Sequence, residues 1–102
     1  MPTSKRAKDR FTRFDSADYL KSEADMAAYL VACMEEADDD PALVAVALGN
    51  IARAYGMVRL ARKTGLTREG LYKALSAEGN PSLGTVLKVI KALGMKLTPV
   101  VA

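Results

Sequence analysis

The chain has 102 residues, half of them apolar, and a net charge of +3, which is enough for one domain with a modest core and no disulfide or metal staples. It has no histidine and a single cysteine, which removes the usual general base near neutral pH, the Ser–His and Cys–His nucleophile pairs, the commonest metal ligand and any internal disulfide. These absences argue against an enzyme and against a cofactor or metal; with no apolar run near about 18 residues and a charged amino-terminal stretch, a cytoplasmic protein without a membrane span is expected.

The net charge conceals a division along the chain. Residues 1–13 sum to +4, residues 14–42 to −8 and residues 43–102 to +7. Such segregation points to two partners of opposite sign, a polyanion for the carboxy-terminal part and something basic for the middle.

In chain order, "MPTSKRAKDR" has little to pack, so residues 1–13 are expected to be a flexible basic tail preceding one helical domain over 14–102. "FTRF" is compatible with an extended stretch, and Ser16 with a short turn of helix over "ADYL". Ser22 and Asp25 resemble a capping box ahead of "EADMAAYLVACMEEA". There Met26, Tyr29, Leu30, Cys33 and Met34 fall at i, i+3, i+4, i+7 and i+8, the stripe of a helix with one buried face, and Cys33 reads as a small apolar filler. The run Asp38, Asp39, Asp40 lacks the alternating spacing and glycine of a calcium loop. It reads instead as a loop, with Asp40 as N-cap and Pro41 at the first position of the next helix.

That helix, "PALVAVALGNIARAY", carries Leu43, Val44, Val46, Ala47, Leu48 and Ile51 and is expected to run through the middle of the core, ending at Gly56. Next come "MVRLARKT", Gly65, "TREGLYKALS", the polar loop "AEGNP", "SLGTVLKVIKAL" and Gly94. Thr67 is the expected cap of the second of these helices, and either Ser82, or Asn80 with Pro81 at N1, caps the last. The closing "MKLTPVVA" is rich in β-formers and predicts a short strand, limited by Pro99 to an edge or a strand end.

The segment at about 57–76 has the marks of a helix-turn-helix. Ala61 is a small residue four positions before Gly65, Leu66 follows the turn, and Leu60, Leu71 and Ala74 can anchor both helices from beneath. Thr67, Arg68, Glu69, Gly70, Tyr72 and Lys73 are left on the outer side. A second helix of about ten residues, roughly 15 Å long, suits a major groove. Arg68 is then placed for guanine O6 and N7, Glu69 for a cytosine amino group, and Tyr72 and Lys73 for phosphate, a thymine methyl or another base. The helix starts at Val58 or Arg59 and at Ser82, with Asn80 beside the latter, are further phosphate candidates, and Arg59, Arg62 and Lys63 add positive charge.

From about Phe14 to Leu97 the stretches "FDSADYLKSEADMAAYL", "LGNIARAYGM" and "LARKTGLTREGLYKALSAEGNPSLGTVLKVIKALGMKL" resemble the addiction-module antidote family, HigA-like antitoxins with a lambda-repressor-like (XRE-type) fold. The resemblance implies an all-α bundle of about five helices, to which the residues add a short carboxy-terminal strand. It further implies an antitoxin that neutralises a basic, RelE-like ribonuclease toxin and represses its own operon as a homodimer on double-stranded operator DNA. The family's recognition segment falls on Thr67, Arg68, Glu69, Gly70, Tyr72 and Lys73, and its loop on Gly79, Asn80 and Pro81. Two positions depart from the pattern: Val58 stands where a Ser or Thr cap is common, and Gly70 where Ser is common. The dimer contact could come from the carboxy-terminal strand or from the apolar face of the last helix. A stand-alone or phage-like regulator, and a helical protein-interaction module without DNA binding, are the alternative readings.

Overall fold

The computed structural model describes residues 20–38 and 40–102. They form five helices: α1 (Glu23–Ala37), α2 (Pro41–Tyr55), α3 (Met57–Thr64), α4 (Arg68–Ala74) and α5 (Leu83–Ala92). The tail at 1–13, the "FTRF" stretch, the turn after Ser16 and Asp39 lie outside the described residues. No single helix among those described is long and apolar enough to cross a membrane.

Local chemistry sets the helix starts. Ser22 Oγ accepts the N–H of Asp25 at 3.1 Å, and the Asp25 carboxylate accepts the N–H of Lys21 at 3.2 Å. The reciprocal bond of the expected capping box thus lands one residue before the cap. Asp40 accepts the N–H of Ala42 at 3.0 Å with Pro41 at the first helical position, where the missing proline N–H costs nothing. At Gly56, φ is 114°, and the chain turns from α2 into α3 through 104°. A side chain at that φ would be strained, so glycine is what permits two helices to meet at so sharp a corner.

The core is built around α2, which packs against α1, α3 and α4, while α3 packs against α4 and α5. Leu43, Ala47, Leu48 and Ile51 of α2 are completely or almost completely buried, and Val44 is half-buried. Met26, Tyr29, Leu30 and Cys33 of α1 are buried as the i, i+3, i+4, i+7 pattern requires, so that Cys33 serves as packing. Leu60, Leu71, Val89 and Leu93 close the same cluster from the other helices.

Four expectations are corrected. Met34, on the expected buried stripe, is 39 % exposed: the buried face runs through Cys33 to Ala37, and Met34 lies beside it on the wall of a groove described below. Helix α3 begins at Met57 rather than Val58 or Arg59, because Gly56 already completes the turn, and it has no side-chain cap. Helix α4 spans 7 residues rather than about ten, since its last turn gives way to the tight turn containing Ser76 and Gly79. Finally, residues 95–102 form no strand. No strand lies among the described residues to pair this segment's N–H and C=O groups, so its β-forming residues alone cannot make a ladder. Leu97, Val100 and Val101 are exposed there.

Candidate nucleic-acid interface

Helices α3 and α4 form two short rods joined at residues 65–67. Gly65 adopts the left-handed conformation, φ 75° and ψ 8°, and its N–H bonds to the Ala61 carbonyl at 2.9 Å. The Thr64 hydroxyl donates to the Leu60 carbonyl at 2.9 Å and accepts the N–H of Leu66 at 3.2 Å, which ties the end of α3 to the turn. Thr67 Oγ1 then accepts the N–H of Gly70 at 2.9 Å and starts α4. Beneath the turn Leu60 and Leu71 have no exposed surface, and Ala61 and Leu66 pack against the same cluster.

Anchoring Leu71 inward fixes the rest of α4. Thr67, Arg68, Glu69, Gly70, Tyr72 and Lys73 are all exposed, Tyr72 to 45 %. Arg59, in the first turn of α3, is also exposed. Its guanidinium lies 4.1 Å from the centroid of the Tyr55 ring, and the Lys63 ammonium lies 5.5 Å from the same centroid. Each such contact contributes on the order of 0.5–1 kcal/mol at an exposed site, which biases the arginine toward the ring by a few-fold in population. The Tyr55 hydroxyl is buried and has no hydrogen-bond partner among the described residues. At the far side of the loop Asn80 and Ser82 are exposed, and the choice between them as cap is made by Ser82, whose Oγ accepts the N–H of Thr85 at 3.1 Å.

Two features are not legible in the sequence pattern. Asn50, only 5 % exposed, donates through Nδ2 to the Tyr29 hydroxyl at 2.9 Å, and an Arg53 Nη donates to its Oδ1. This chain of polar groups joins α1 to α2 and ends in a recess of about 310 Å³ shared by Arg53, Tyr72 and Ser76, so Arg53 lies on the border of the α4 face. A single Asn in an otherwise apolar helix, three residues before an Arg, was the available signal. Lys63, Lys88 and Lys91 surround a second recess of about 390 Å³ between α3 and α5. Lys88 and Lys91 are far from Lys63 in sequence, and only the packing of α5 on α3 brings them together.

The described residues form an all-helical protein in which the exposed lysines and arginines of α3 to α5 are set against an acidic α1. Residues 10–101 match the family described as "probable addiction module antidote protein", and the chain belongs to that family. It is also 49 % identical, over 83 residues covering 81 % of this chain and 84 % of the relative, to an uncharacterized protein of Haemophilus influenzae. No solved structure matches it significantly. Membership implies an antidote, that is an antitoxin, with a toxin for a partner.

Proposed function

We propose that the chain is the antitoxin of a type II toxin–antitoxin pair that neutralises a RelE-like ribonuclease toxin and represses its own operon, with α3 and α4 acting as a lambda-repressor-like helix-turn-helix on operator DNA. It acts by binding rather than catalysis, in the cytoplasm. The observation that carries the DNA-binding part is the outer face of α4, exposed at Arg68, Glu69, Tyr72 and Lys73 while Leu71 is completely buried.

In this mode α4 lies in the major groove with its amino end toward the bases. Arg68 pairs with a guanine edge, Glu69 accepts from a cytosine amino group, and Tyr72 and Lys73 contact the backbone or a further base. Arg59, steadied over Tyr55, and Asn80 with Ser82 at the start of α5 hold flanking phosphates. Seven residues rise only about 10 Å, which spans about three base pairs. One copy therefore reads too little sequence, and a homodimer reaching two half-sites supplies the rest.

Fluorescence anisotropy of the full chain with a duplex from upstream of its gene tests the reading. Affinity should fall steeply with salt, the log–log slope steepening by about 0.9 per neutralised phosphate. Lys73→Ala should weaken binding to all duplexes alike and flatten the slope. Arg68→Ala should lower discrimination between the upstream duplex and a scrambled one by about 1–3 kcal/mol. Salt-independent binding, or none, would reject DNA reading by this face.

A further inference from the structure

The acidic side of the molecule carries a feature that DNA binding does not use. An open groove of about 540 Å³ runs between α1 and the segment that follows α5. Its floor is apolar and closed by Leu30 and Ile90, which are 6 % and 4 % exposed. Val31 and Met34 on the α1 wall and Leu97 on the other are 56 %, 39 % and 47 % exposed. Three large apolar side chains thus stand exposed on the two walls of one groove, above an apolar floor.

Its charge pattern selects the occupant. Helix α1 carries Glu23, Asp25, Glu35 and Glu36 and no basic residue. Glu23 and Glu35 line the groove, whereas Lys96 is the one cation among the described residues of its lining. At one end the Glu23 carboxylate lies against Gly94 so closely that an added Cβ there would stand 2.2 Å from it. Twelve residues along the helix, roughly 18 Å, separate Glu23 from Glu35. A second copy docking here by two-fold symmetry would bring α1 against α1 and carboxylates against carboxylates, which is costly.

We infer that this groove is the toxin's seat: it takes an amphipathic segment of a basic protein. Apolar side chains of that segment fill the space over Leu30 and Ile90 between Val31, Met34 and Leu97. Its lysines or arginines, roughly 18 Å apart, meet Glu23 and Glu35. The inference rests on the antidote reading above. The surface is separate from Arg68, Tyr72 and Lys73, so toxin and DNA are held by different faces.

The test is calorimetric titration of the full chain with the product of the neighbouring open reading frame, with anisotropy on the upstream duplex and sedimentation run in parallel. Two variants are used, the double Val31→Lys/Met34→Lys and the single Glu35→Lys. Both change exposed side chains, so melting temperature and duplex affinity should hold. Toxin affinity should fall about a hundredfold in the double variant and about tenfold in Glu35→Lys, whose wild-type contact should also weaken with salt. If the double variant does not fold, Glu35→Lys decides alone. A wild-type chain that binds no neighbouring product overturns the antidote reading and the groove with it. A wild-type chain that binds, with both variants binding within twofold, overturns the groove alone. So does a change in self-association while toxin affinity stays constant, because the groove would then be a contact between copies.

Discussion

Gly49 offers a sharp check on how α4 is held. It lies in the buried middle of α2, where a Cβ would stand 2.3 Å from the Leu75 carbonyl oxygen at the end of α4. In an ordinary helix interior Gly→Ala is worth up to about 1 kcal/mol of stabilisation. Here the obstacle is backbone, which cannot rotate aside, and α2 and α4 must separate by about 1 Å. Overpacking of this kind costs about 1–3 kcal/mol; with a contact this short the upper end applies, leaving a net loss of about 2 kcal/mol for Gly49→Ala. For a domain of this size that lowers the melting temperature by roughly 8 °C or more. Gly84, in the first turn of α5, is the control: its nearest atom to an added Cβ is Ser82 Oγ at 3.7 Å, so Gly84→Ala should raise the melting temperature. Thermal unfolding by circular dichroism reads both. Because Gly49→Ala shifts α4, the proposed DNA contact predicts that its duplex affinity falls as well at a temperature where it stays folded. If Gly49→Ala stabilises as Gly84→Ala does, the close crossing of α2 and α4, and the placement of α4 that depends on it, are wrong.

Three further outcomes are expected of single substitutions and of thiol labelling. Thr67→Ala removes the acceptor for the Gly70 N–H and should cost about 1 kcal/mol in urea unfolding, whereas Thr67→Asp should retain the cap yet bind duplex more weakly at low salt, because it sets a carboxylate beside phosphate; equal duplex affinity for Thr67→Asp and wild type would separate this end of α4 from the DNA. Tyr29→Phe deletes the hydroxyl that accepts from buried Asn50 and should lower stability by about 1 kcal/mol or more, with the m-value unchanged in urea titration. Cys33, 2 % exposed, should react with a bulky aromatic disulfide reagent only as fast as the chain unfolds, and urea below the transition should leave that rate small; immediate modification in the native state would contradict its burial.

Much of this architecture was legible in local chemistry. Asp40 with Pro41, Thr67 and Gly65 mark helix ends through short-range hydrogen bonds and φ preferences that depend on only a few neighbouring residues, so their roles could be read one by one, whereas the choice of Ser82 over Asn80 waited for the structure. The inward Leu71 and outward Arg68, Tyr72 and Lys73 likewise follow from a 3.6-residue period once Leu60 and Leu71 are taken as anchors. Length misled where a tertiary turn intervened: nothing within "TREGLYKALS" itself announces that α4 stops at Ala74.

What the sequence by itself determined is therefore the helical order, most of the caps and the opposite charges of α1 and of α3 to α5, all properties of residues close together in the chain. Only the tertiary structure decided that Met34 faces a groove, that Lys63 meets Lys88 and Lys91, that Tyr29, Asn50 and Arg53 form one polar chain, and that the carboxy-terminal segment stays unpaired. Each of these depends on which distant surface arrives opposite a residue, and that is set by how whole helices pack rather than by what any one stretch prefers.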